Sequence, residues 1–150
     1  MNIDKGVFDE LKKTHTQVSE ELILLKRSLD YVCDQAAFDN VGKVMKFFED
    51  NLADHFAMEE KHIFSVVLAM GELEYKQVVR ELQQEHIVMH SRLDEVKDIV
   101  LKHGFSFKDE KTKDRFIGLS KIILELLIMH ARKEDEKLFP YVIKKGYITD

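Results

Sequence analysis

The sequence predicts an all-α domain, an up-down-up-down antiparallel four-helix bundle. Three observations carry that expectation. Helix breakers are scarce, with one proline and six glycines in 150 residues, so long helices meet little opposition. Apolar residues recur at steps of three and four through four successive stretches, the spacing of one helix face. The chain also repeats itself: His130-Ala-Arg-Lys-Glu134 stands 75 residues after His55-Phe-Ala-Met-Glu59, half the chain length, and the same offset carries His15 onto His90. A helical hairpin present twice makes a four-helix bundle.

The first helix is expected from Asp4 to about Asp34, with Phe8, Leu11, Val18, Leu22, Leu25, Leu29 and Val32 on its inner face and His15 among them. Asp39 or Asn40 is the expected cap of a second helix running to about Met70. Its face reads Val41, Val44, Phe48, Leu52, His55, Glu59, Ile63 and Val66. The stretch from Gly71 to Glu74 is a short connection, which favours an antiparallel neighbour. The third helix covers about Glu74 to His103, with Val79, Leu82, His86, Met89, His90, Leu93 and Val100 inward, and Gly104 follows as a left-handed cap. Phe105 to Lys111 is a connection carrying some apolar contacts. The fourth helix runs from about Asp109 to Phe139, with Phe116, Leu119, Ile123, Leu126, Leu127, His130, Glu134 and Leu138 inward. Pro140 lacks an amide hydrogen and is expected to end or kink it. No linker, low-complexity tract or strand-like alternation interrupts this pattern, so residues 1–150 read as one domain.

Composition excludes several functions. A formal charge of -5 leaves no basic footprint for nucleic acid or an anionic membrane. Cys33 is the single cysteine, so no intramolecular disulfide and no thiolate metal cluster can form. The first residues lack the basic and apolar regions of a signal peptide, and the longest apolar run, Ile122 to Met129, is interrupted by Glu125. A cytoplasmic protein is expected. Its oligomeric state is left open.

The informative residues are polar ones on apolar faces. Buried ionisable groups need partners, yet the inner stripe of every helix is interrupted at a similar level, by His15, by His55 with Glu59, by His86 with His90, and by His130 with Glu134. Residues four apart stack on one helix face, so each pair can direct two donors into one cavity. Five imidazoles and two carboxylates exceed the needs of one ion and suit two metals bridged by the carboxylates. Such donors in a bundle core point to iron, with manganese or zinc as lesser options. His62 also lies near the inner face and reads as packed beside the ligands, while His103 sits at a helix end and is given no chemistry. A ferritin-like carboxylate site needs two Glu-x-x-His motifs. Only Glu59-Glu-Lys-His62 supplies one.

At these residues the chain resembles the hemerythrin-like (HHE cation-binding) family. That family carries a lone histidine on the first helix, His-x-x-x-Glu on the second, His-x-x-x-His on the third, and a histidine followed by an acid on the fourth. The matching residues are His15, His55 and Glu59, His86 and His90, and His130 with Glu134 or Asp135. The resemblance implies one iron on His86, His90 and His130 and another on His15 and His55. Glu59 and the acid of the fourth helix would bridge them together with an oxo or hydroxo group. It leaves the two-histidine iron one position for dioxygen, peroxide or nitric oxide.

Oxygen carriers of the family place an aspartate five residues after the last histidine, and broader members a glutamate four after it. Five residues turn roughly 140° round a helix and four roughly 40°. Spacing, and the match to His55 and Glu59, favour Glu134 over Asp135. The long gaps between ligand groups resemble stand-alone bacterial members, including those linked to repair of iron centres. The expected function is a non-haem di-iron protein that binds dioxygen or a related small ligand for storage, delivery or sensing. The alternative is a di-iron enzyme, or an iron donor for repair of iron-sulfur clusters under nitric oxide or peroxide stress.

Overall fold

The apolar stripes dictate how the chain folds. In the computed structural model, which describes residues 1–30, 35–103 and 109–150, α1 spans Lys5–Asp30 and α2 spans Gln35–Glu59. A single π-helical turn, Glu60–Phe64, joins α2 to α3, Ser65–Met70. Helix α4 spans Leu73–His103 and α5 spans Glu110–Lys133. A second π turn, Glu134–Leu138, leads into α6, Phe139–Lys144. Helix α1 packs against α2 and α5, and α4 packs against α5 and α2, so the long helices form a helical bundle. Among the described residues, no helix is long and apolar enough to cross a membrane.

The core is built in two halves. One gathers Val18, Leu22, Leu25, Phe48, Leu52, Phe56, Met89, Leu93, Phe116, Ile123 and Leu127 with their neighbours. The other gathers Phe8, Leu11, Ile63, Phe64, Val79, Leu82, Leu138, Phe139 and Val142. Along each long helix the chain leaves one half and enters the other at the predicted polar residues. His15 lies between Leu11 and Val18, His55 and Glu59 between Leu52 and Ile63, His86 between Leu82 and Met89, and His130 and Glu134 between Leu127 and Leu138. The polar residues thus occupy one buried layer between two dry ones.

Several local expectations are corrected. Asp39 does not cap the second helix, which begins a turn earlier at Gln35. Phe38 explains the shift: it is buried, packs 5.2 Å from Phe116, and so draws this turn into the core. Asp39 instead accepts a 2.7 Å hydrogen bond from the Gln35 side chain one turn back. Pro140 does not end the fourth helix, which continues to Lys144. The π turn before it closes with the Phe139 amide donating to the Glu134 carbonyl. This leaves Pro140 in the first turn of α6, where its missing amide costs little.

A parallel pairing of two-residue strands, β1 (Ile3–Asp4) with β2 (Ile148–Thr149), brings the two ends of the chain together, where no strand was expected. Its driving contact is Ile3, which is fully buried. Between α3 and α4, Gly71 is required by close approach, because a Cβ there would come within 2.5 Å of the Val67 carbonyl oxygen. The Tyr141 hydroxyl accepts from the Glu72 amide at 2.9 Å and fixes this connection to α6. The expectations for Val32, Cys33, the Gly104 cap and the connection from Phe105 fall on residues 31–34 and 104–108, outside the described residues.

Candidate metal centre

Helical periodicity delivers the polar layer. His15 on α1, His55 and Glu59 on α2, His86 on α4, His130 on α5 and Glu134 at the opening of the second π turn are all buried. The carboxyl groups are the extreme cases, with Glu59 0% and Glu134 1% exposed. Their atoms converge on Glu59. Its Oε1 lies 3.3 Å from His86 Nε2, 3.5 Å from His55 Nε2 and 3.9 Å from His130 Nε2. His86 Nε2 and His130 Nε2 face each other at 3.1 Å, and His130 Nε2 stands 2.8 Å from Glu134 Oε1. Taking one ligand atom from each of Glu59, His86 and His130, all lie within 4.8 Å of one another.

Proximity to Glu59 does not amount to hydrogen bonding. Both oxygens of Glu59, Oε2 of Glu134 and Nε2 of His15 are buried and make no aligned hydrogen bond. A buried acceptor left without a donor costs about 1–3 kcal/mol, more when charged. The cluster holds several. A cation among them takes up the lone pairs of imidazole and carboxylate together, so the donor set fits a metal ion.

The electrostatics agree. Burial by itself raises the pKa of Glu59, but the imidazoles of His130, His86 and His55 outweigh it and hold the carboxyl down at about 2. Glu59 is therefore an anion ready to ligate. His55 is pushed below its ordinary value, chiefly by burial, with Glu59 opposing and the neighbouring His15, His86 and His130 reinforcing. A neutral imidazole is the form that binds metal. His130 is likewise penalised by burial, but Glu59 and Glu85 more than compensate and raise it.

The predicted residues are not all brought together. His15 sits beside His55, ring centroids 6.4 Å apart, with its Nε2 3.2 Å from Asp135 Oδ2. The two acids after His130 therefore divide their contacts: Glu134 is buried at His130, and the more exposed Asp135 reaches His15. His90 is not among the converging atoms. It is partly exposed, meets Phe56 edge-on at 5.5 Å, and lines a separate cavity with Phe48, Leu93 and Lys97. His62 is partly exposed.

Among the described residues, Phe56, Phe64, Glu60 and Glu85, all absent from the expected set, touch the imidazoles of His86 and His130. Phe56 stacks on His86 at 3.9 Å and 13°, and Phe64 lies near-parallel to the same ring at 5.3 Å. Glu60 Oε1 is 3.3 Å from His86 Nδ1, and Glu85 Oε1 is 3.5 Å from His130 Nδ1. The phenylalanines were visible in sequence only as core filling. The two glutamates are each adjacent in sequence to a predicted ligand, and that adjacency was the available signal.

Among protein-family models, the hemerythrin HHE cation binding domain matches residues 6–142. No curated protein and no solved structure matches the chain. The match spans the four long helices and both π turns, and so contains every residue of the buried layer. The chain belongs to the hemerythrin HHE cation-binding domain family.

Proposed function

We propose that this protein is a cytoplasmic, non-haem di-iron protein that binds dioxygen, or a related small ligand such as nitric oxide or peroxide, for storage, delivery or sensing. One observation carries the reading: six buried ionisable side chains form a layer in which both oxygens of Glu59 and Oε2 of Glu134 have no hydrogen-bond donor. Structural ion pairs do not leave both oxygens of a fully buried glutamate unbonded. His15, His55, Glu59, His86, His90, His130 and Glu134 would hold the two metals. For His90 the support is family membership and its place one turn from His86.

Iron, when bound, would supply the electrons that dioxygen binding draws on. The chain supplies the surroundings. Leu11, Leu52, Ile63 and Leu82, all at most 1% exposed, close the layer above and below and keep water from it. Glu59 and Glu134 bring negative charge that offsets the metal cations. The up-down-up-down antiparallel course is part of the same reading, supported by contacts that run in opposite order along neighbouring helices. On α2 and α4, Glu49 meets Lys97 while Glu59 meets His86. Phe8 meets Phe139 while His15 meets Asp135.

The enzyme reading is favoured by one feature. Glu81, Lys133 and Glu85 form a polar string from solvent to His130, with Lys133 Nζ 3.5 Å from Glu81 and 2.7 Å from Glu85.

The deciding experiment is metal content per chain after growth in iron-supplemented medium, with absorbance spectra taken reduced, in air and after degassing. Two irons and a charge-transfer band that appears in air and disappears on degassing are expected. Two irons that oxidise once and do not return would transfer the assignment to the enzyme or repair reading. Absence of bound iron, with His55→Ala and Glu59→Ala matching the wild type, would remove the metal centre.

A further inference from the structure

His86 is held on every side. Glu59 Oε1 stands 3.3 Å from its Nε2 and Glu60 Oε1 stands 3.3 Å from its Nδ1. Phe56 and Phe64 cover its ring. Consecutive residues of an α-helix point about 100° apart, so two adjacent glutamates do not ordinarily serve one ring. Here the π turn begins at Glu60, and the Ser65 amide donates to the Glu60 carbonyl across it. The wider turn lets Glu59 and Glu60 reach the two nitrogens of the same imidazole. Extra residues of this kind gather at functional sites.

His130 has a matching arrangement from another helix. Its Nε2 faces Glu134 and His86, while Nδ1 is turned to Glu85 Oε1 at 3.5 Å. Glu85 is not free to follow the ring, because Lys133 Nζ holds its other oxygen at 2.7 Å and also approaches Glu81. Glu60 and Glu85 lie outside the converging set of acids, and neither is fully buried. They address only the ring nitrogens that point away from the centre.

We infer that Glu60 and Glu85 are positioning residues: each accepts the Nδ1–H of a buried imidazole, His86 and His130 respectively, and so presents the bare Nε2 to the metal. An imidazole has one lone pair in its neutral form, and whichever nitrogen carries the proton cannot ligate. A carboxylate at Nδ1 selects the tautomer, fixes the ring against rotation and raises the basicity of Nε2. His130 Nδ1 makes no formed hydrogen bond, with Glu85 Oε1 standing 3.5 Å away, and a metal at Nε2 would make Nδ1–H a stronger donor toward that oxygen. This inference rests on the metal-centre reading above, and its test is arranged so that the two can fail separately.

The test measures ferrous ion affinity by chelator competition for the wild type, Glu60→Ala, Glu60→Gln, Glu85→Ala and Glu85→Gln. Circular dichroism melts run alongside. Side chains here are partly exposed, so the variants are expected to fold. Each alanine variant is expected to bind about 10–100-fold more weakly, the usual effect of removing such a partner. Each glutamine variant, whose amide oxygen still accepts from Nδ1, should recover most of that loss. Cobalt-loaded protein gives a second readout, the exchangeable ring N–H signals shifted by the paramagnetic ion. The signal of His130 should disappear from Glu85→Ala and persist in Glu85→Gln, and that of His86 should follow Glu60 in the same way. Wild-type protein that binds no metal overturns the centre itself. Wild-type binding with unchanged alanine variants, or loss that glutamine does not rescue, overturns the positioning role and leaves the centre standing.

Discussion

Glu59 concentrates the problem of the site in one residue. It is fully buried, ionised, surrounded by three imidazoles and bonded by none of them in hydrogen-bond geometry. The consequence for the metal-free protein can be worked from its pKa. The folded value of about 2 lies below the ordinary 4.5. Stability from this group is therefore complete above pH 4.5 and is lost as pH falls toward 2. His55, depressed by burial, contributes in the same sense above its ordinary 6.5 and loses that contribution as pH falls below it. His130, raised by Glu59 and Glu85 against burial, contributes below 6.5 and loses its share as pH rises through its folded value. Replacing Glu59 with glutamine removes the acid-side component. Urea midpoints of metal-free protein between pH 6 and 3 should fall less steeply in Glu59→Gln than in wild type, with up to roughly 3 kcal/mol of pH dependence gone over the full titration. Parallel curves would mean that Glu59 is not ionised in the fold.

At the scale of elements, periodicity made the helices legible and their irregularities illegible. Steps of three and four located α1, α4 and α5 to within a few residues, and placed His15, His55, Glu59, His86, His130 and Glu134 on faces that are indeed buried. A π turn adds one residue to a helix, which a run of apolar positions absorbs without visible break. Both turns follow a His-x-x-x-Glu motif within one residue of the same place in the repeat, at Glu60–Phe64 and Glu134–Leu138. That is why Glu60 escaped notice: on a regular helix it points away from the inner stripe. The terminal strands were invisible for a different reason, since two residues cannot show alternation. Pro140 does not end the fourth helix because the rule against proline in a helix interior assumes an unbroken ladder. The π turn makes it a first-turn residue, and this has a measurable consequence. Pro140→Ala should shift the unfolding free energy by no more than about 0.5 kcal/mol, as for an exposed surface position. A gain near 3 kcal/mol would mean that the proline breaks the helix after all.

Across the whole molecule the polar layer divides one core into two, and this is costly. Replacing buried ionic groups by apolar residues of similar size is often neutral or stabilising by about 1–4 kcal/mol. A protein under selection for stability alone has no use for six ionisable side chains between dry layers. A metal would reverse the account, because an ion taking Glu59, His86 and His130 would tie α2, α4 and α5 at one level. At a free concentration 100 times the dissociation constant, binding to the native state adds about 2.7 kcal/mol. The two statements combine in one comparison, between wild type and a variant carrying His55→Leu, Glu59→Met, His130→Leu and Glu134→Met. Without metal, the variant should melt above the wild type. With ferrous ion, the wild type should rise and the variant should not respond, while a chelator should return the wild type to its lower melting temperature. If the metal-free variant instead melts well below the wild type, the layer is self-sufficient and stabilises the bundle as a network of its own. Stability without metal is then the quantity that separates a layer kept for packing from one kept for what it holds.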